Sequence, residues 1–248
     1  RDPEMSRGLG DVYKRQHEYV VKTIVTSEMA NAVAARFGVK CYECLTGFKY
    51  IAKIIRNHEG SDMKYIGGGE ESFGYLAGDY VRDKDGVSAC SLAAEAAAWA
   101  MDTMGLTLYE WLQRLYVEYG LYREGLLSVV RTGKEGADEI QRMMVDFRAN
   151  PPRTILGSPV VKINDFLSLE TQDLRTGEKR PIEQDASNVL QWYTEDGTKV
   201  SVRPSGTEPK IKFYFGVRAP LASVDDFGRV LGELDAKIDA IRKDLGLE

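Results

Sequence analysis

Cysteine is scarce in this chain, three residues in 248, and the three are too scattered for the disulfide framework of a small secreted domain. Histidine is scarcer still. His17 and His58 are the only two, too far apart and too unsupported to read as a metal pair. No apolar run approaches the roughly 18 to 20 residues that a membrane-spanning helix needs. An excess of positive charge is missing as well, because 33 Lys and Arg against 38 Asp and Glu leave a net charge of −5. Nothing global therefore recruits nucleic acid or an anionic membrane, and any anion site must be a local exception. Together these absences point to a cytoplasmic protein with no nucleic-acid and no membrane partner. What is present is a 43% apolar composition, enough for one large core or two ordinary ones, and two domains are expected.

Residues 1–16, "RDPEMSRGLGDVYKRQ", have no apolar period and no signal-peptide core. They read as a scar of cloning or of a gene fragment and are set apart from the fold. From residue 17 the pattern becomes regular. "YVVKTIVT" predicts a buried strand, and Ser27 caps a helix over "EMANAVAARF" with Met29, Val33 and Phe37 on one face. "VKCYEC" predicts a second strand, "GFKYIAKIIRNHE" a helix with Ile51, Ile54 and Ile55 inward, and "MKYIGG" a third strand. That alternation is the grammar of an α/β domain, a mixed sheet with helices on both faces, over 17–119. "SACSLAAEAAAWAMDTM" is apolar nearly all round and predicts a buried helix, and "TLYEWLQRLYVEY" an amphipathic one.

Beyond Gly120 the order changes to a strand, a helix near "ADEIQRMMVDFRA", several strands in succession and a closing helix. An α+β domain over 120–248, with an antiparallel sheet packed by helices, is expected. Asp196-Gly197 between "NVLQWYTE" and "TKVSVRP" is a strong hairpin signal. In the closing helix Val224, Phe227, Leu231, Leu234, Ile238, Ile241 and Leu245 recur at spacings of three and four. That stripe is expected to pack on the domain's own sheet, with a coiled-coil partner as the alternative.

The most informative stretch is "VSVRPSGTEPKIKFYFGV", 200–217. Period-two alternation sends Val200 and Val202 to one face and Ser201 and Arg203 to the other. After the break, Ile211, Phe213, Phe215 and Val217 point inward, and Lys210, Lys212 and Tyr214 point out. Arg203 and Lys212 should then emerge on the same side, flanking "PSGTEP". In that loop Gly206 would open backbone conformations in which amide groups converge on an anion, and Ser205 and Thr207 add hydroxyl donors. Between Lys199 and Arg218 five basic residues face one acidic, a local +4 in a chain of −5. Ordinary turn chemistry uses the same residues, so the loop alone leaves phosphate binding and a plain hairpin both open.

A second loop, "GGGEESFGYLAGDYVRDKDG" at 67–86, follows the third strand, where α/β sheets place ligand loops. Glu70 and Ser72 should face one way and Glu71 the other, giving one carboxylate and one hydroxyl for sugar hydroxyls; the competing reading is a solvated acidic loop. Other signals are set aside. Cys41 and Cys44 spell C-x-x-C inside a strand, where positions three apart face opposite sides. The glycine run at 67 fits neither dinucleotide nor P-loop spacing, and Asp79, Asp83 and Asp85 lack the later glutamate of a calcium loop.

Taken together, "GEESFG" at 69–74, "RPSGTEPKIKFY" at 203–214 and "LTGFKYI" at 45–51 resemble the α-D-phosphohexomutase family, over about residues 18–248. Its members move a phosphate between the 1- and 6-positions of a hexose, and the chain resembles their third domain, lacking its beginning, and their whole fourth. The resemblance implies that Glu70 and Ser72 read sugar hydroxyls. It also implies that Arg203, Ser205, Gly206 and Thr207 hold the phosphate that is not reacting, with Lys212, ahead of Lys210, as basic partner. Lys49 would be a polar or proton-transferring contact near the reacting end, where burial could tune its pKa. The two loops would close on one phosphohexose substrate.

The family's phosphoserine loop ("TASHNP"-like) and magnesium loop ("DGDADR"-like) do not occur in this sequence. The resemblance therefore implies no cofactor in this chain, Mg2+ for the full-length enzyme through an absent domain, and the absent N-terminal domains of the same protein as partners. It implies an isolated chain that is inactive, from a full-length enzyme working through a phosphoserine and a bisphosphorylated sugar. "GEES" is similar to glucomutase-type members, with mannomutase specificity as the alternative. A non-catalytic phosphosugar-binding module is the other alternative.

Overall fold

The computed structural model describes residues 17–206 and 208–247. They divide into two compact units, one ending at Tyr119 and one beginning at Gly120.

The first unit is built on a four-stranded sheet of β1 (Glu18–Thr23), β2 (Lys40–Cys44), β3 (Lys64–Glu70) and β4 (Gly74–Ala77), in the order β2-β1-β3-β4. β1 is parallel to β2 and β3, and β4 turns back antiparallel on β3. The connections of the parallel strands are α1 (Met29–Arg36) and α2 (Phe48–Asn57). Ser27 Oγ accepts from the Met29 amide at 3.2 Å at the start of α1, as capping chemistry predicts. The core is Tyr19, Val21, Cys44, Phe48, Ile51, Ile55, Tyr65 and Leu76, apolar residues of the sheet meeting the inner stripe of α2. Gly68 is needed where β3 crosses β1, because a Cβ there would lie 2.2 Å from the Val21 carbonyl oxygen. On α1 the expected apolar face is not the buried one. Ala34 is the only buried residue of that helix and Phe37 is exposed, since a small side chain lets the helix sit close to the sheet.

Two helices follow, α3 (Gly86–Met104) and α4 (Leu108–Tyr119). The expectation of a buried helix over 88–104 is overturned. Ala100 is its one buried residue, and Val87, Leu92, Trp99 and Met101 are exposed. Apolarity all round is a demand for cover, and whether anything supplies it is decided by what packs there.

The second unit is a larger antiparallel sheet in the order β5-β12-β11-β10-β7-β8-β9, with β6 paired to β7. Its strands are β5 (Leu121–Val130), β6 (Thr154–Ile155), β7 (Ser158–Asp165), β8 (Glu170–Asp173), β9 (Lys179–Pro181), β10 (Leu190–Thr194), β11 (Lys199–Pro204) and β12 (Lys210–Ala219). The helices are α5 (Gly133–Ala149) and, after a short 3-10 turn at Val224–Asp226, α6 (Phe227–Asp244). Both pack on one sheet face. Phe147 of α5 meets the rings of Trp192 and Phe213 edge-on, at 5.2 and 6.1 Å between centroids, and Arg242 of α6 lies 5.7 Å from the centre of Phe215. Val230, Leu234, Ile238 and Ile241 are the buried stripe of α6, which spends its apolar face on its own sheet. Gly197, at φ +83°, makes the tight turn between β10 and β11.

Candidate functional site

In the second unit the decisive element is the β11–β12 hairpin. Arg203 and Lys212 are direct cross-strand partners, and such a pair puts both side chains on the same face. Val200, Val202, Ile211, Phe213, Phe215 and Val217 are all buried on the helix-covered face. Between the strands, the Ser205 amide donates to the Lys210 carbonyl at 2.7 Å and the Glu208 amide to Ser205 Oγ at 3.3 Å. The Arg131 amide donates to the Pro209 carbonyl at 2.9 Å, so the base of the loop is pinned while Gly206 stays exposed.

Arg203 is half-buried, yet its guanidinium forms no hydrogen bond or ion pair among the described residues. Lys212 likewise has no acceptor there, although its charge helps hold the Glu208 carboxyl below the usual range. The chief cause of that lowering is Lys210, whose Nζ sits 2.6 Å from Glu208. Lys210 is therefore engaged, whereas the five donors of the Arg203 guanidinium and the Lys212 ammonium have no acceptor among the described residues. Gly206 corrects one expectation. Its backbone is outside the left-handed region, and a Cβ there would meet nothing within 4 Å. Its small size leaves open space over the loop, and no special dihedral is involved. Thr207 lies outside the described residues.

The face shared by Arg203 and Lys212 is not the wet surface that alternation suggests. Tyr214, Ser201, Lys199 and Gln191 are buried on it. A polar row crosses four strands: Thr171 Oγ1 donates to Asn164 Oδ1 at 2.9 Å, Asn164 Nδ2 to Gln191 Oε1 at 3.2 Å, and Gln191 Nε2 to Ser201 Oγ at 2.9 Å. These satisfied groups fix β11 on its polar side two residues before Arg203. Sequence reading missed them, because period two tells which face a residue takes and says nothing of whether water reaches it.

In the first unit, β1, β2 and β3 are parallel, so Thr23, Cys44 and Glu70 end their strands at one sheet edge, the carboxyl edge where such folds hold ligands. Glu70 is closely confined. Its Oε2 accepts from Ser72 Oγ at 3.0 Å and lies 3.8 Å from Lys84 Nζ, while Oε1 is buried without a partner. Residues 71–73 form the turn between β3 and β4 and not the extended segment expected, and within it Glu71 accepts from Thr23 Oγ1 at 2.8 Å. Phe73 is fully exposed at φ +62°, a left-handed conformation that a bulky residue rarely adopts. Lys49 opens α2 at the same edge, after Gly47 at φ +119°, and its Nζ lies 4.9 Å from the ring centre of Tyr50. It is exposed, so the burial expected to tune it is not there.

Burial pushes the Cys41 thiol up to about 11 and the Cys44 thiol to about 12, so both stay protonated at neutral pH and neither is a nucleophile. Among the described residues no group of three or more His, Cys, Asp or Glu side chains could hold a metal ion. No helix of the described residues is long and apolar enough to cross a membrane.

With this geometry in view, two sequence profiles match in tandem: the phosphoglucomutase/phosphomannomutase alpha/beta/alpha domain III over residues 9–119, and the C-terminal domain of the same family over 168–227. The chain belongs to the phosphoglucomutase/phosphomannomutase family. It is 36% identical over 223 residues to a phosphoglucomutase of Staphylococcus aureus strain N315, covering 90% of this chain and 39% of that protein. A phosphoglucomutase of Staphylococcus haemolyticus is 34% identical over 214 residues, covering 86% and 38%. Among solved structures, the open form of the exocytosis-sensitive phosphoprotein parafusin, a phosphoglucomutase from Paramecium, aligns with a TM-score of 0.58 at 17% identity over 90% of this chain and 38% of its own. That likeness supports the fold. The chain spans about two fifths of the length of the curated relatives it matches, a C-terminal part of such a mutase.

Proposed function

We propose that this chain is the phosphosugar-recognition part of a phosphoglucomutase-type enzyme that interconverts hexose 1-phosphate and 6-phosphate. The observation that carries the reading is Arg203, a half-buried guanidinium without an acceptor among the described residues, placed directly across from Lys212 beside an exposed glycine. Polar groups held away from water are normally paired, and a planar fork of donors next to an ammonium matches a phosphate dianion. Ser205, Gly206 and Thr207 complete this distal-phosphate loop. Because it recognises a phosphate and no particular carbon, it can hold the 6-phosphate of one substrate and the 1-phosphate of the other.

The first unit reads the hexose. Glu70 accepts from sugar hydroxyls, Ser72 orients its carboxylate, and the unpartnered Oε1 is the atom such a hydroxyl would satisfy. Lys49, solvent-accessible at the same sheet edge, is a polar contact toward the reacting end. Phosphoryl transfer by itself demands metal and phosphoserine chemistry, assigned in this proposal to the preceding domains of the full-length cytoplasmic enzyme; the isolated chain binds without turnover. The exposed apolar residues of α3 support a partner in those domains, since a helix apolar all round is built to be covered. The "GEES" form favours glucose phosphate over mannose phosphate.

Calorimetric titration of the chain tests this. Glucose 1-phosphate and glucose 6-phosphate should bind with similar affinity, and unphosphorylated glucose should bind far more weakly. Glu70→Gln should change the choice between glucose and mannose phosphates while inorganic phosphate binding stays the same. Equal binding of glucose and its phosphates would remove the phosphate loop from the account, and turnover by the isolated chain would contradict the division of labour.

A further inference from the structure

Glu70 and Glu71 are neighbours with opposite fates, and what holds Glu71 bears on what Glu70 can do. Thr23, the last residue of β1, is fully buried and donates its hydroxyl proton to Glu71 Oε2 at 2.8 Å, across 48 residues of sequence. A threonine has one proton to give, so Thr26 Oγ1, 3.0 Å away, must be the donor in its own contact with Thr23 Oγ1, and the Val25 amide donates there too at 3.4 Å. The chain of donors runs one way, from Thr26 through Thr23 to the carboxylate. The turn that carries Thr26 is itself anchored from below. Lys22 Nζ, buried in the sheet, donates to the Thr26 carbonyl at 3.3 Å and pairs with Glu28 and Glu43 at 3.2 and 2.9 Å.

Glu71, Ser72 and Phe73 are the turn between β3 and β4, closed by the pairing of Glu70 with Gly74. Fixing Glu71 against the end of β1 therefore ties that turn down at its first residue, and with it the placement of Ser72, whose hydroxyl donates to Glu70 Oε2 at 3.0 Å. The left-handed Phe73 lies immediately beyond, and a backbone of that kind persists only where its surroundings over-determine it. From these contacts we infer that Thr23 and Glu71 form a latch that sets the presentation of Glu70 and Ser72. Glu71 is then a positioning residue for hexose discrimination, with Thr23 as its anchor. The inference rests on the proposed reading of Glu70 and Ser72 as the sugar-reading pair.

The test compares Thr23→Val, which keeps the shape and removes the donor, with Thr23→Ser, which keeps the donor, and with Glu71→Ala. Each chain is titrated by calorimetry with glucose 1-phosphate, mannose 1-phosphate and inorganic phosphate. Thr23→Val and Glu71→Ala should each shift the glucose-to-mannose affinity ratio by about five- to tenfold, the scale of one lost hydrogen bond, with inorganic phosphate within about twofold of the parent. Thr23→Ser should retain the parent ratio, a rescue that general loosening of the fold does not give. A Thr23→Val chain with the parent ratio overturns the latch and leaves the sugar loop standing. A parent chain that binds the two sugar phosphates and inorganic phosphate alike overturns the sugar loop itself, and the latch with it.

Discussion

Arg203→Ala is the perturbation that reaches furthest into the proposed function. The guanidinium has no acceptor among the described residues, so truncating it strands no buried partner, and stability should move by no more than about 0.5 kcal/mol. Binding should move far more. Charge-assisted hydrogen bonds to a phosphate contribute about 1.5–3 kcal/mol, which converts to a loss of roughly ten- to a hundredfold in affinity for glucose 6-phosphate. Lys212→Ala removes a point charge that keeps access to solvent, and about 1 kcal/mol is expected. Because the two side chains are cross-strand partners on one face, their effects should couple, and the double variant should lose less than the two single losses together. Raising the salt concentration should weaken the parent chain more than Arg203→Ala, since the screened interaction is already gone in the variant. Calorimetry at two salt concentrations, with a thermal melt of each chain, makes the comparison. Parent-like affinity in Arg203→Ala, or a loss of binding matched by a large drop in melting temperature, would refute the reasoning.

Two further outcomes concern the scaffold that carries the loops. Asp196, in the β10–β11 turn, pairs with Lys237 of α6 at 2.8 Å and accepts from Thr194 Oγ1 and from the Thr198 amide. Burial raises its proton affinity, but the Lys237, Thr194 and Thr198 contacts outweigh that and hold the carboxyl well below the usual range. A lowered folded pKa gives stability that is present above the unfolded value near pH 4 and lost as pH falls through the folded one. Asp196→Asn should therefore flatten the acid limb of a pH-dependent melt below about pH 4, by about 1 kcal/mol given its solvent access. An unchanged acid limb would remove Asp196 from that account. Lys22→Met leaves Glu28 and Glu43 facing each other without their cation. Burial disfavours the Lys22 charge, yet the two carboxylates together hold its pKa above the ordinary value, so its contribution is present at neutral pH and fades as pH rises past about 10. Breaking a buried pair costs about 3–5 kcal/mol, and partial exposure of both carboxylates brings the expected loss nearer about 2–3 kcal/mol in a urea melt at pH 7. Parent-like stability would show the network to be neutral.

Much of this protein was legible from local chemistry. Alternation of period two fixes which side chains of β11 and β12 share a face, because consecutive Cβ atoms of a strand have no other option, and it puts Arg203 and Lys212 on one side, while the register that makes them direct partners belongs to the fold. Asp196-Gly197 announces its hairpin, since the turn needs one residue at positive φ and Gly197 supplies it. The motifs around Glu70 and Arg203 mark the two loops. Long-range packing had to settle the rest. The apolar pattern of α3 asks for burial that the described residues do not supply. Tyr214, Ser201 and Gln191 alternate like surface residues and are buried. Lys49 is exposed, without the burial that was to tune it, and Gly206 contributes open space and no special dihedrals. Thr23 and Glu71 lie 48 residues apart and meet only because parallel pairing brings the ends of β1 and β3 to one edge. Periodicity and turn preference are properties of a few neighbouring residues, so sequence alone decides them; burial and partnership belong to pairs distant in the chain, so only the folded sheet decides those.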